Sequence, residues 1–375
     1  MKPSEQKSSP ILWSLFAFIM LLSCGYELPY RPQQFIAPRL SVPLASRDMI
    51  RDFIGLDHYH FKLAFTRKAD QSIYVVDFSR VEATDTSVVP KVYRFKTGGM
   101  PDSPLFSPDG EWITWFVRLS VTSQKAFVRR LAEGSEAVEI ASQGTDPHFW
   151  EDSLENRYII YSNRFQVALN ELPQIEGFGT FRRRIDRTTG RAIGDPEKIL
   201  DKPFNGGLSK DGRYLCTGYS DGAFYDLTQS VLYRINYAEG SGGMQICNPS
   251  IAPDNAHTDW MLFLPFSGTQ KLDFSGMDST PGTVKMHEYL FIVDKENKVR
   301  WQRTCPAGYY QWQDPEWSND FNFLVALAKV TSNESDTRHD CFLVRQSDRA
   351  VLKLTTETFR LDDSATPAFW IAQEE

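Results

Sequence analysis

Phe106-Ser107-Pro108-Asp109-Gly110-Glu111-Trp112-Ile113-Thr114-Trp115-Phe116 joins a Ser-Pro-Asp-Gly turn to a run of aromatic and β-branched residues. Such a run favours a strand. Asp-Gly suits the turn before it, because Asp bonds the local backbone and Gly accepts a positive φ. With Pro104-Leu105 in front, the stretch is the fullest of six copies of one phrase. The others are Pro147-His148-Phe149-Trp150-Glu151-Asp152, Gly207-Leu208-Ser209-Lys210-Asp211-Gly212, Pro249-Ser250-Ile251-Ala252-Pro253-Asp254, Pro315-Glu316-Trp317-Ser318-Asn319-Asp320 and Pro367-Ala368-Phe369-Trp370. A phrase that returns in this way marks a repeat architecture.

Three strand-like runs follow each of the first five copies. After the first they are Trp112 to Phe116, Ala126 to Arg129 and Ala137 to Ile140. The phrase and three runs make four strands, the content of one propeller blade. The sixth copy stops after one strand, whereas Phe61 to Phe65, Ile73 to Phe78 and Val92 to Phe95 are three runs with no phrase before them. A C-terminal innermost strand that joins the N-terminal strands accounts for both leftovers and removes the last unpaired edge. The fold class expected is therefore all-β, a closed six-bladed propeller of four-stranded blades. Its longest loops fall at Asn163 to Gly179 and Phe266 to His287. Trp150, Trp317, Trp370 and Phe106 recur within the phrase and are expected to pack between neighbouring blades.

The run from Phe106 resembles the repeat of TolB-like β-propellers, a repeat also seen in the propellers of prolyl oligopeptidases. The resemblance covers nearly all of residues 58–375, with Trp150, Lys210 and Asn319 replacing parts of the pattern. It implies the fold and the turn between the first two strands of each blade. It implies no activity.

Lys2 and Lys7 precede an apolar run, Ile11 to Leu22, that ends at Ser23-Cys24. As a helix this run spans about 18 Å, short of the roughly 30 Å hydrocarbon core, so residues 1–23 read as a signal peptide. Leu21-Leu22-Ser23-Cys24 resembles a bacterial lipobox, which implies a lipid on Cys24. Gly25 after it, by the same resemblance, favours the outer membrane. Pro29, Pro32, Pro38 and Pro43 make residues 24–57 an extended tether. Within it a short helix is expected over Ser46 to Leu56, capped by Ser46, with Met49, Ile50, Phe53 and Ile54 on one face. Residues 58–375 form the propeller.

The chain of 375 residues carries a net charge of −7, which disfavours general nucleic-acid binding. Its 13% aromatic content suits a β-rich core. Cys216, Cys247, Cys305 and Cys341 remain once Cys24 is set aside, and either disulfides or thiols fit their spacing. Gly218-Tyr219-Ser220-Asp221-Gly222 matches G-x-S-x-G, but strand-like residues follow where a nucleophile elbow needs a helix, so a hairpin turn is expected. His58 and His60 stand two apart and His148 lies inside the phrase, near the channel; these three are the candidate metal ligands, without a recognisable ligand spacing. Arg182-Arg183-Arg184 reads as a solvated strand edge, with an anionic ligand as the second reading. No catalytic residue and no cofactor is indicated. The expected role is a non-catalytic envelope lipoprotein facing the periplasm or the cell surface. It would bind a protein or glycan partner, and would touch the membrane through the lipid on Cys24. The rival is a polysaccharide lyase or hydrolase built from histidine and carboxylates on the channel face.

Overall fold

The Ser-Pro-Asp-Gly turn forms around two side chains. The amide of Trp112 donates to Ser107 Oγ at 2.9 Å and that of Glu111 to Asp109 Oδ1 at 3.0 Å. The third copy repeats this, Tyr214 donating to Ser209 Oγ at 2.8 Å and Arg213 to Asp211 Oδ1 at 3.1 Å. The structure, a computed structural model, describes residues 44–375 apart from 56–59, 85–86, 121–122, 164–177, 219–221, 236–245, 267–274, 277–285, 334–335, 357–360, 362–364 and 373–375. The segment 1–43, with Cys24, and also His58 and Ser220 lie outside the described residues, as does most of the two expected long loops.

Six antiparallel sheets form six blades. Blade 1 contains β1 (Phe61–Arg67), β2 (Ser72–Thr84) and β3 (Ser87–Lys96). Blade 2 holds β4 (Met100–Phe106), β5 (Trp112–Arg118), β6 (Gln124–Arg130) and β7 (Val138–Ala141). Blade 3 holds β8 (Thr145–Glu151), β9 (Arg157–Ser162), β10 (Thr180–Ile185) and β11 (Ala192–Leu200). Blade 4 holds β12 (Tyr214–Thr217), β13 (Ala223–Asp226) and β14 (Val231–Arg234). Its innermost strand shrinks to a bridge between Leu208 and Leu215, where Gly206-Gly207 weakens the strand. Blade 5 runs from β15 (Ile246–Ile251) through β16 (Trp260–Pro265) and β17 (Tyr289–Asp294) to β18 (Val299–Thr304). Blade 6 consists of β19 (Trp312–Trp317), β20 (Phe323–Lys329), β21 (His339–Arg345) and β22 (Val351–Lys353).

The last strand, β23 (Pro367–Ile371), completes blade 1 by pairing with β1, from Phe61 opposite Ile371 to Phe65 opposite Pro367. Asn319 of blade 6 clamps this strand. Its Nδ2 donates to the Ile371 carbonyl and its Oδ1 accepts from the Ile371 amide, both at 2.7 Å. Helix α1 (Arg47–Ile54) packs into the cluster shared by blades 1 and 6 through Ile50 and Ile54. Ser46 caps it, accepting from the Met49 amide at 3.2 Å. Met49 itself faces solvent at 54% exposure, so the buried face is narrower than the sequence pattern suggests.

The three phrase tryptophans do pack between blades, but from two adjacent positions and in opposite directions, while Phe106 is half-buried at the border of a channel cavity. Trp150 and Trp370 occupy the Ser107 position and reach the following blade, donating to the carbonyls of Ser209 and Pro108, each at 2.9 Å. Trp317 occupies the Phe106 position and reaches back to the Ser250 carbonyl at 3.1 Å. Successive strand residues point to opposite faces, which explains the reversal. Gly110, at φ +66, lies under Trp370, where a Cβ would come within 2.3 Å of the ring. Only glycine fits both the turn and the indole.

Deleting residues 365–375 removes β23 and leaves the inner edge of blade 1 open. The expected result is loss of the cooperative thermal transition seen by circular dichroism. A truncated chain that melts like the wild type would contradict closure.

Candidate functional site

The innermost strands line the central channel, and four of them carry a bulge. Register shifts lie between Asp102 and Leu105, Thr145 and His148, Cys247 and Ser250, and Gln313 and Glu316. At each bulge the residue before a proline takes a left-handed backbone: Ser103 (φ 46), Asp146 (φ 46), Asn248 (φ 49) and Asp314 (φ 43). Bulges re-aim side chains at sheet edges and sites. Here they collect polar groups at one end of the channel.

Those groups, with a backbone bond and the Asn319 clamp, join every blade to the next. The Ser103 amide donates to Thr366 Oγ1 at 3.1 Å, linking blades 1 and 2. Ser103 Oγ donates to Asp146 Oδ1 at 3.1 Å, linking 2 and 3. His148 Nε2 lies 3.1 Å from the Asn205 carbonyl beside blade 4, and the Ile251 amide of blade 5 donates to the Gly206 carbonyl at 3.0 Å. Asn248 Nδ2 donates to Asp314 Oδ1 at 2.7 Å and Ser250 Oγ to Glu316, linking 5 and 6. The Asn319 clamp closes the circle.

Two cavities occupy the channel and share Leu105, His148 and Glu316. The wider, of about 830 Å³, is bordered by Phe149, Trp150, Trp317 and Phe321 with Lys210, Asp254, Asn255 and Asn322. The narrower, of about 270 Å³, is bordered by Lys68, Asp102, Asp146, Asn248, Asp314 and Glu316 among others.

The charges there are unequal in their partners. Asp102 pairs with Lys68 at 3.2 Å and with Arg118 at 3.7 Å. Asp146 is 9% exposed and its Oδ2 has no hydrogen-bond partner. Burial, reinforced by the Asp102 charge, pushes the Asp146 carboxyl up to about 7 against its bonds to Ser103 and Thr145. Burial raises Glu316 to about 7 as well, with the Asp146 charge adding to it. His148 moves the other way: burial lowers it to about 4, so it is neutral near pH 7. Since a carbonyl can only accept, its Nε2 carries the proton and Nδ1 is left as an acceptor.

The other sequence candidates scatter. His60 is exposed just ahead of β1 and borders neither cavity. Arg182 makes a two-pronged ion pair with Glu197 at 2.8 and 2.9 Å, and Arg183 donates from blade 3 to the Ile140 carbonyl of blade 2 at 2.6 Å. Arg184 is exposed. The strands flanking Ser220 pair antiparallel, Thr217 opposite Ala223, so no helix follows the G-x-S-x-G stretch. The four described cysteines are thiols. Burial pushes Cys247 up to about 12 and raises Cys216, Cys305 and Cys341 as well, which leaves none as a thiolate near neutral pH. Among the described residues no three His, Cys, Asp or Glu side chains converge as a metal-ligand set.

Sequence reasoning singled out His148 and missed Asp146 and Glu316. Both stand beside the phrase prolines, Asp146 just before Pro147 and Glu316 just after Pro315, and that placement was the available signal.

Comparison with known proteins now bears on the fold. The structure is similar to TolB from Acinetobacter baumannii at a TM-score of 0.50 and 12% identity, over 86% of this chain and 70% of that one. The chain has the fold of a TolB-like six-bladed β-propeller. It is also similar to a protein of unknown function from Bacteroides caccae, with a TM-score of 0.47 and 8% identity over 84% of this chain and 100% of that one. A puromycin hydrolase follows with a TM-score of 0.42 and 11% identity, over 79% of this chain and 44% of the hydrolase. No family model and no curated protein matches the sequence. No helix among the described residues is long and apolar enough to cross a membrane.

Asp146 and Glu316 hold their protons more tightly folded than unfolded. The folded state therefore binds more protons between about pH 4 and pH 7 and loses stability as pH rises through that window. Asp146→Asn and Glu316→Gln remove this loss. Each is expected to raise the melting temperature at pH 8 by on the order of 2–4 °C, the response to about 1 kcal/mol in a large domain, and to change little at pH 4. Variants less stable than wild type at pH 8 would contradict the assignment.

Proposed function

We propose that the chain is a non-catalytic lipoprotein of the cell envelope, held by a lipid on Cys24, whose propeller offers the wide channel mouth to a protein or glycan partner. The observation that carries this reading is the lining of the wide cavity. Phe149, Trp150 and Phe321 stand half-buried along a concavity of about 830 Å³. Aromatic faces of this kind bury large area at low entropic cost, against a sugar ring or an apolar side chain. Lys210, Asp254, Asn255 and Asn322 add donors and acceptors around them. The circle of bonds between blades fixes these groups before binding, which lowers the cost of ordering them.

A second reading, an enzyme acting on a polysaccharide, draws on His148 and Glu316, which border both cavities. It predicts that the chain releases oligosaccharides from an acidic polysaccharide and that Glu316→Gln abolishes the release.

The binding reading is tested by photo-crosslinking in cells. A photoreactive residue at Asn255, exposed on the wide mouth, is expected to trap a discrete partner. The same residue at Ile193, exposed on the outer strand β11, is expected not to. Equal yields from both positions, or none from Asn255, would count against a mouth that binds. Cys24→Ser is expected to move the exported protein from the membrane pellet to the soluble fraction. A variant that still pellets with membranes would refute the anchor.

A further inference from the structure

The narrow end of the channel gathers more negative charge than its surroundings offset. Of the residues that border it, Asp102, Asp146, Asp314 and Glu316 are acidic and Lys68 is the one Lys or Arg. Lys68 is held by Asp102, which Arg118 also approaches, and Asp314 accepts the Asn248 amide. Asp146 accepts from the Ser103 hydroxyl and Glu316 from the Ser250 hydroxyl, each on the preceding blade. Asp146 sits on blade 3 and Glu316 on blade 6, three blades apart in a ring of six, so they face each other across the channel. Asp146 Oδ2 is buried without a partner at the edge of this cavity. A buried carboxylate oxygen left unmatched in this way is costly unless a donor arrives.

We infer that the narrow cavity is a binding site for a protonated primary amine, its ammonium held near the channel axis between Asp146 and Glu316. An ammonium brings three donors and one positive charge. Two acceptors on opposite walls, here Asp146 Oδ2 and Glu316, suffice for it, each reached at about 3 Å from the one nitrogen. A metal ion needs several ligands converging at short distance, and no such set of acidic, His or Cys side chains exists among the described residues. Leu105, Ile246 and Pro249 border the same cavity and give the methylene stem of an alkylamine an apolar wall. The bulges that build the site put Asp146 and Asp314 in left-handed backbone, a cost commonly found where position matters more than local stability.

The charged and titratable groups around the pair are Asp102 and Arg118 from blade 2, Lys68 from blade 1, Asp314 from blade 6, the neutral His148 from blade 3 and Cys247 from blade 5, which burial keeps a thiol. Because both carboxyls titrate near 7, amine binding strengthens as pH rises through neutrality and fades below it. The amine can belong to a free small molecule or to a lysine side chain of a macromolecular partner. The site stands whether or not the wide mouth docks a partner, since a small amine probes it alone.

The test is calorimetric titration of the full chain in detergent with cadaverine, with Nα-acetyl-lysine amide and with calcium chloride. Cadaverine is expected to bind at pH 8 and to bind roughly tenfold or more weakly at pH 5.5, and Asp146→Asn or Glu316→Gln to weaken it by a similar factor at pH 8. Tighter binding of Nα-acetyl-lysine amide than of cadaverine assigns the site to a partner's lysine. The reverse assigns it to a free amine. Absence of amine binding at pH 8, binding indifferent to pH in the wild type, or a response to calcium alone would overturn the inference. The wild-type pH comparison holds even if a variant fails to fold.

Discussion

The pairing of β23 with β1 is the constraint on which the rest of the molecule depends. Thr66 and Thr366, 300 residues apart, bond through their hydroxyls at 3.0 Å, and the Thr366 amide donates to Thr66 Oγ1 at 2.8 Å. Contacts this distant in sequence form only after large loop-closure entropy has been overcome, so the seam is expected to form late in folding. Once formed, it is fastened from both sides. Asn319 holds it from blade 6, Trp370 reaches blade 2, and α1 covers the cluster that blades 1 and 6 share. Lys62 joins the same corner, lying over Trp370 and donating to the Gly110 carbonyl at 2.7 Å.

The channel is a by-product of the same arrangement. Blades can be linked at their inner edge only by groups that reach across a few ångströms, and bulges before the phrase prolines supply them. Placing carboxylates there has a cost, visible in the raised Asp146 and Glu316. A purely structural circle could have used hydroxyls and amides throughout, as the Ser103–Thr366 link does. Retaining two opposed acids at the channel centre trades stability above neutral pH for a negative site of defined position.

Much of the fold was legible because it is written locally. The Ser107, Asp109 and Gly110 turn needs only neighbours in sequence, and the strand runs after each phrase are strands in the structure. Closure was legible by subtraction, from three N-terminal runs without a phrase and one C-terminal phrase without runs. The channel site was not legible, because Asp146 and Glu316 meet only when six blades are placed around an axis. Their places beside Pro147 and Pro315 are the one local sign, and it says nothing of which acids share the channel. The Arg182-Arg183-Arg184 run misled for a related reason. It looks like an edge, yet β10 is an interior strand of blade 3, so Arg183 meets Ile140 of the preceding blade while Arg182 stays with Glu197. The two tryptophan positions merged in sequence because they are adjacent, and that one-residue offset decides which blade each indole reaches.

Native-state hydrogen exchange tests the closed ring most directly, by comparing the amides of β23 with those of the interior strands β5 and β20. If β23 is the innermost strand of blade 1, its amides exchange only through global unfolding, with the same free energy and denaturant dependence as the interior strands. If they exchange orders of magnitude faster, through a local opening that leaves β5 and β20 protected, the C-terminal strand is a frayed appendage and the ring is not closed by it.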